Sequence, residues 1–511
     1  MEKPIHQTFS NRQGKMKKTD AMLPSVNRLR ACTERHGLIC LIYFIFAMSL
    51  TWVIFKDGFE TYPFAFEYGN IAGSLASGYG FAGVFENNEV ATAWAPPFYV
   101  FVHFLIFKIF GIKTVEAMWA GLILMVLLLT WTLHLLLKLD YSAVLNRFKI
   151  LLLPVFTVLS SLTLLYGFGD VTLNVLLSVV VLYLVLKIQQ EGFAAYRFQA
   201  LLLSIILPLS NLFLVIIVGI LIISNLVPFA LRRTHFVPVK FSFLIVAVML
   251  GTVTVWGVRN YYSLGRFIPF KSNLWFELYL SNVKDWDGIL KQSSWYAYHP
   301  LVNHRAQQSY NALGELAFLE PYKDSSLRYL RNDTGDFLVK VGRRALNSFL
   351  FMSQSNDVIE FDNNKINERD VRFLKQKKLV VYSYWTCLEM TPRRFREVVG
   401  GMNLTNPGTV ISDWNEKKSM LKRNILHSPS NIIAALMVTF IPFISLVICC
   451  INKKVRSTPL FRFTVLFLLC SLGPYILIAH YFRYQSFQIG FFAILIFMSL
   501  EIVLRKFSTV R

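Results

Sequence analysis

Acidic side chains are scarce in this chain: 30 Asp and Glu stand against 52 Lys and Arg in 511 residues, a formal net charge of +22. In a soluble protein that balance points to nucleic acid. Here much of the basic charge sits in short loops between apolar runs, where orientation in a membrane is the simpler reading and no nucleic-acid partner is implied. Cysteine is sparse too. Of Cys32, Cys40, Cys387, Cys449, Cys450 and Cys470, only Cys387 lies in the long polar region, which excludes a disulfide framework and a thiolate metal site there. The apolar runs hold few charges, and neither an internal repeat nor a low-complexity tract stands out. No small-residue cleavage signal follows the first apolar run, so the basic tail before it reads as leading into an uncleaved span.

What the chain has in abundance is apolar sequence. Hydrophobic residues make up 55% and the mean hydropathy is +0.48, values outside the range of ordinary soluble domains. A helix needs about 20 apolar residues to cross the hydrocarbon core. Runs at 37–55, 115–137, 150–167, 171–188, 198–210, 211–230, 239–257, 432–451, 461–480 and 485–504 qualify or come close, with the adjoining 198–210 and 211–230 split by Pro208 and Asn211. An eleventh run, 98–112, is short and opens on Pro96-Pro97. If it crossed, Lys138, Arg147, Lys149, Arg232, Arg233 and Lys240 would all fall outside; if it lies on the outer surface, they fall inside. The expectation is therefore an all-α polytopic membrane protein of about ten transmembrane helices, both termini cytoplasmic, with an interfacial helix at 98–112. Its parts are a basic tail (1–36), a transmembrane module (37–257) whose first outer loop spans 56–114, an extracytoplasmic region (258–430), and closing transmembrane helices with a short tail (431–511). Region 258–430 carries 25 Lys and Arg against 17 Asp and Glu, which suits an anionic partner or a solvated basic face.

Two acids stand at telling places. Glu67 opens FEYGNIAGSLASGYGF some ten residues past the first span, and Asp170, in YGFGDVTLN, opens a later one. The topology puts both on the outer face, where an ionisable group near the hydrocarbon boundary is costly unless paired or facing a polar cavity. An acid at a helix start can also serve the helix dipole or cap the helix. The small residues 72–78 allow close packing that would hold Glu67 rigidly, as a general base requires.

Together these motifs resemble the C-type (GT-C) superfamily of membrane glycosyltransferases, which take a sugar from a polyprenyl-phosphate carrier and include protein O-mannosyltransferases and the lipid A aminoarabinose transferase. The matching residues are Glu67, Ala72-Gly73-Ser74-Leu75, Gly78-Tyr79-Gly80-Phe81, Pro97-Phe98-Tyr99 (with Val100 in place of a second proline), Asp170, Arg259-Asn260-Tyr261, the stretch His299 to Asn303, Gly314-Glu315, and Arg483-Tyr484. After the last of these, Gln485-Ser486-Phe487 departs from the family pattern, and 355–430 matches nothing in it. The resemblance implies a GT-C-like fold with outer juxtamembrane helices, a mixed extracytoplasmic region and a bacterial inner-membrane location. It implies Glu67 as base and Asp170 as supporting acid. Arg259, Lys271 and Arg483 would meet the lipid phosphate, with Tyr484 beside the last, and His299 would serve the acceptor, which could be lipid, glycan or protein. Some relatives use a divalent cation and others do not, so metal dependence stays open; Asp285-Trp286-Asp287 alone is a poor metal motif. Two other readings remain: a transporter or flippase, and an inactive scaffold of the same fold.

Overall fold

The computed structural model describes residues 23–58, 62, 64–85, 87–165, 167–211, 215–216, 218–220, 238–284, 288, 290, 294, 297–350, 440–479 and 486–508. Among them the secondary structure is helical, with one isolated β-bridge between Ala82 and Ala91. The helices used below are α1 (Leu23–Phe55), α2 (Glu67–Ala76), α3 (Pro97–Phe110), α4 (Val115–Lys138), α5 (Leu152–Leu165), α6 (Asp170–Glu191), α7 (Arg197–Ser210) and α8 (Val239–Leu264). They continue with α9 (Leu274–Tyr279), α10 (His304–Leu313), α11 (Glu315–Asn332), α12 (Thr334–Leu350), α13 (Ile441–Ile451), α14 (Pro459–Leu477) and α15 (Ile489–Ser508).

Six helical segments among the described residues are long and apolar enough to cross a membrane: His36–Phe55, Val115–Lys138, Asp170–Glu191, Phe193–Ser210, Val239–Leu264 and Pro459–Leu477. Four of the other expected or short runs appear as shorter apolar helices, including Pro97–Phe110 and Ile441–Ile451. At 14 residues, α3 is about 21 Å long, well short of the hydrocarbon core. The expected break near Pro208 and Asn211 is present: α7 stops at Ser210, and Asn211 is extended. The region expected to be mixed is helical from 304 to 350 but for single-residue joints.

Local chemistry sets the helix starts. Thr114 accepts from the Ala117 amide to begin α4, Thr458 accepts from the Phe461 amide ahead of Pro459 to begin α14, and Asn303 accepts from the Ala306 amide to begin α10. The bundle is organised around α6, whose apolar window is 83% buried against 28% for α8. Helices α4, α7, α14 and α15 all pack on it. Gly490, at the start of α15, permits the closest approach, because a Cβ there would stand 2.3 Å from Val179 Cγ2 on α6. Val179 is fully buried and β-branched, so it has little room to yield. Gly490→Ala should therefore destabilise the bundle by about 1–3 kcal/mol, read as a lower thermal-unfolding midpoint in detergent; an unchanged midpoint would show that the α6–α15 contact is slack.

Candidate functional site

The two acids sit on turns that dock on one another. Phe64, Ala65 and Phe66 take positive φ in succession (42°, 61° and 52°), a conformation costing roughly 1–3 kcal/mol per non-glycine residue unless surrounding structure enforces it. The enforcement is visible. Tyr62 packs edge-on against Phe55 and Phe64, and its hydroxyl accepts from the Phe168 amide at 3.1 Å. Gly167, at φ 70°, leaves room for the Tyr62 ring, since a Cβ there would meet it at 2.9 Å. Gly69 admits the Phe64 carbonyl, which a Cβ would approach to 1.8 Å. The result sets Glu67 as the first residue of α2 and Asp170 as the first of α6, each where a carboxylate meets the positive end of a helix. Tyr68 joins them, its hydroxyl donating to Asp170 Oδ2 at 3.4 Å.

Glu67 and Asp170 line one cavity of about 350 Å³. Its walls are helix ends and turns: the starts of α2, α3 and α6, the ends of α7 and α14, and the segment leading into α9. Trp94, Tyr99, Tyr475 and Phe487 supply aromatic surface, and Pro208 and Pro474 bring the ends of α7 and α14 to it. Lys271, at an exposed position, also lines it. So does Glu277, to which Asn273 Nδ2 donates at 3.5 Å. Tyr99 is fixed from below by its hydroxyl donating to Asn174 Oδ1 at 2.6 Å, and its ring meets Tyr68 edge-on.

His299 stands behind Glu67 rather than on the cavity wall. Its ring is buried edge-on against Phe85 and Trp94 and beside Phe276, and its Nε2 faces Glu67 Oε1 at 3.5 Å. The Leu301 amide donates to Nδ1 at 3.2 Å, so Nδ1 carries no proton and the N–H of the ring is the one turned to Glu67. The imidazole thus sits where its Nε2 can orient the carboxylate.

Arg259 does not line the cavity. Its guanidinium donates to the carbonyls of Thr92 (2.8 Å) and Phe81 (2.7 Å) and to Asn260 Oδ1 (2.8 Å), and lies over the Phe81 and Trp256 rings. It holds the loop that carries Trp94. Glu315 holds the same loop: buried at the start of α11, its carboxylate accepts from the Thr92 hydroxyl, from the Ala93 amide (2.9 Å) and from the Tyr310 hydroxyl (2.8 Å). The Ser272 amide adds a bond to the Ala93 carbonyl at 3.0 Å. Arg483 and Tyr484 lie outside the described residues, as does Asp285-Trp286-Asp287. Among the described residues, no group of three or more His, Cys, Asp or Glu side chains is arranged to hold a metal ion.

Sequence reasoning missed Glu277 and left Glu315 without a role. Glu277 carried a signal, since it is the one acid in the apolar run NLWFELYL. Nothing in the sequence pointed to Tyr475 or Asn211, which reach the cavity through the bundle's topology. No family model, curated protein or solved structure matches the chain.

Burial raises the Glu315 carboxyl above its ordinary value of 4.5, against the pull of its hydrogen-bond donors. The folded state then holds that proton more tightly than the unfolded chain. Its contribution to stability is complete below pH 4.5 and is lost as pH rises through the raised folded value. Unfolding midpoints measured from pH 4 upward should show this decline, and Glu315→Gln, which cannot titrate, should flatten it. An identical slope in Glu315→Gln would assign the decline to another group.

Proposed function

We propose that this protein is an integral membrane glycosyltransferase of the C-type (GT-C) class. It would move a sugar from a polyprenyl-phosphate donor to a lipid, glycan or protein acceptor on the extracytoplasmic face. The observation that supports this reading most is the convergence of Glu67 and Asp170, over 100 positions apart, on one aromatic-walled cavity that also takes in Lys271. Aromatic faces beside carboxylates suit the apolar and hydroxyl surfaces of a sugar ring. In this reading the chain has about ten spans and both termini in the cytoplasm of a bacterial cell, and the cavity opens at the outer face of the inner membrane.

The chemistry is an inverting displacement. The acceptor oxygen attacks the anomeric carbon from the face opposite the phosphate, and Glu67, oriented by His299, takes the acceptor proton. The bond from the anomeric carbon to the phosphate oxygen breaks with its electron pair leaving on the phosphate. Lys271 offers a positive charge to that developing anion. Asp170, with Tyr68, positions the acceptor or the sugar hydroxyls. Arg259 acts at one remove, by holding the Trp94 loop.

Purified protein in nanodiscs, given radiolabelled polyprenyl-phosphate sugars and membrane acceptors, should transfer label. Glu67→Gln should reduce the turnover by roughly 10²–10⁴-fold, and Asp170→Asn should abolish transfer while expression stays normal. Full activity in Glu67→Gln would remove that residue from the chemistry. Lipid-linked substrate moving across vesicles without transfer would favour a transporter. Gly69→Ala retains both carboxylates but pushes on the Phe64 carbonyl, so it should lose transfer with helical content unchanged by circular dichroism. Transfer at the wild-type rate in that variant would show that the turn does not aim Glu67.

A further inference from the structure

Helix α12 is built inside out. At 100° per residue, Lys340, Arg344 and Ser348 fall on one arc, and they are 4%, 0% and 2% exposed. Leu338, Val339 and Leu346 fall on the opposite arc with Gly335 and Gly342, and the three are 60%, 50% and 47% exposed. A helix on a water-bathed domain turns its apolar arc inward. Here the most buried positions are polar, with Phe337 and Val341 half-buried among them, and the polar groups are satisfied. Lys340 donates to the Asn282 carbonyl at 2.7 Å and pairs with Asp336 at 2.8 Å. Arg344 donates to the carbonyls of Ile476 (2.6 Å), Leu477 (3.2 Å) and Gly288 (2.9 Å) and to Asn282 Oδ1 (2.9 Å).

Two of those acceptors fix the depth of α12. Ile476 and Leu477 close α14, a helix long and apolar enough to cross a membrane, so Arg344 ties α12 to the level where that helix ends. Helix α12 also packs on α13. Both neighbours expose apolar side chains of their own, Leu469 and Leu477 on α14 and Ile444 and Val447 on α13. The helices to which α12 is tied thus carry exposed apolar side chains, as α12 does.

We infer that α12 is an interfacial helix whose Leu338–Leu346 arc is immersed in the headgroup and acyl boundary of the leaflet at which α14 ends. Its partner is the lipid surface, met through apolar area. Lys340 and Arg344 do not meet the headgroups; they face inward and bind carbonyls. The contact is independent of any catalytic role for the cavity.

Nitroxide labels placed one at a time by Leu338→Cys and Leu346→Cys, in full-length protein with its native cysteines replaced by serine, test this in phosphatidylcholine–phosphatidylglycerol vesicles. Asn332→Cys, at an exposed position on α11, serves as the reference. Collision with oxygen should exceed collision with a nickel chelate several-fold at 338 and 346, relative to 332. A nickel-dominated response at 338 and 346 would make the arc water-facing and overturn the inference. So would labels shielded from both reagents, which would mean that protein covers it, either a second copy or the residues after 350. If the cysteine-free chain does not fold, Leu338→Trp in the native-cysteine chain asks the same question. Its added emission should be quenched by brominated lipids, and unquenched emission would overturn the inference.

Discussion

One hydrogen bond between two turns underlies the candidate site: the Phe168 amide donating to the Tyr62 hydroxyl. It joins the segment after α1 to the turn before α6, and both acids follow directly from the turns it joins. A single neutral bond contributes only about 1 kcal/mol net. This one works because it is buried among the Phe55, Tyr62 and Phe64 rings and beside two glycines that let the turns close. The three left-handed residues before Glu67 persist because that docking leaves no relaxed alternative.

Around this junction the segments between the long apolar helices form two layers of restraint. The inner layer touches the acids, with His299 on Glu67 and Tyr68 on Asp170. The second layer holds a loop rather than a reacting group: Arg259 and Glu315 both bind Thr92, Glu315 also binds Ala93, and the Trp94 that follows both lines the cavity and packs against His299. A carboxyl group buried this deeply needs hydrogen-bond partners, and Glu315 accepts from three donors.

Much of this was legible in the sequence, and the reason for each limit is physical. Hydropathy located the apolar helices found among the described residues and the shortness of 98–112, because the reach of a helix across the hydrocarbon depends on its length and apolarity. Loop charge gave the expectation that Glu67 and Asp170 share a side, and the structure brings both to one cavity. Loop charge could not distinguish Arg259 from Lys271. Each is a cation after the same apolar run, and only the packed loop shows that Arg259 is bound to carbonyls while Lys271 lines the cavity. His299 was legible as a polar residue near the site, but its tautomer follows from the Leu301 amide, a contact made by a turn rather than by a motif. The inverted faces of α12 were hidden for a similar reason: periodicity shows that a helix is two-faced without showing which face is inside.

The junction of Tyr62 with Phe168 also imposes an order on assembly. Glu67 is synthesised about a hundred residues before the turn that fixes it, and the wall contributed by the end of α14 arrives some three hundred residues after that. The residues 64–66 therefore have no reason to hold their left-handed conformation while the early helices enter the bilayer. In the finished structure they are held in it by the turn at Gly167 and Phe168, and Arg344 ties down the end of α14, the late helix. The cavity is thus a product of completed insertion: a chain halted before its last helices would contain both acids and still have no enclosed site for them to share.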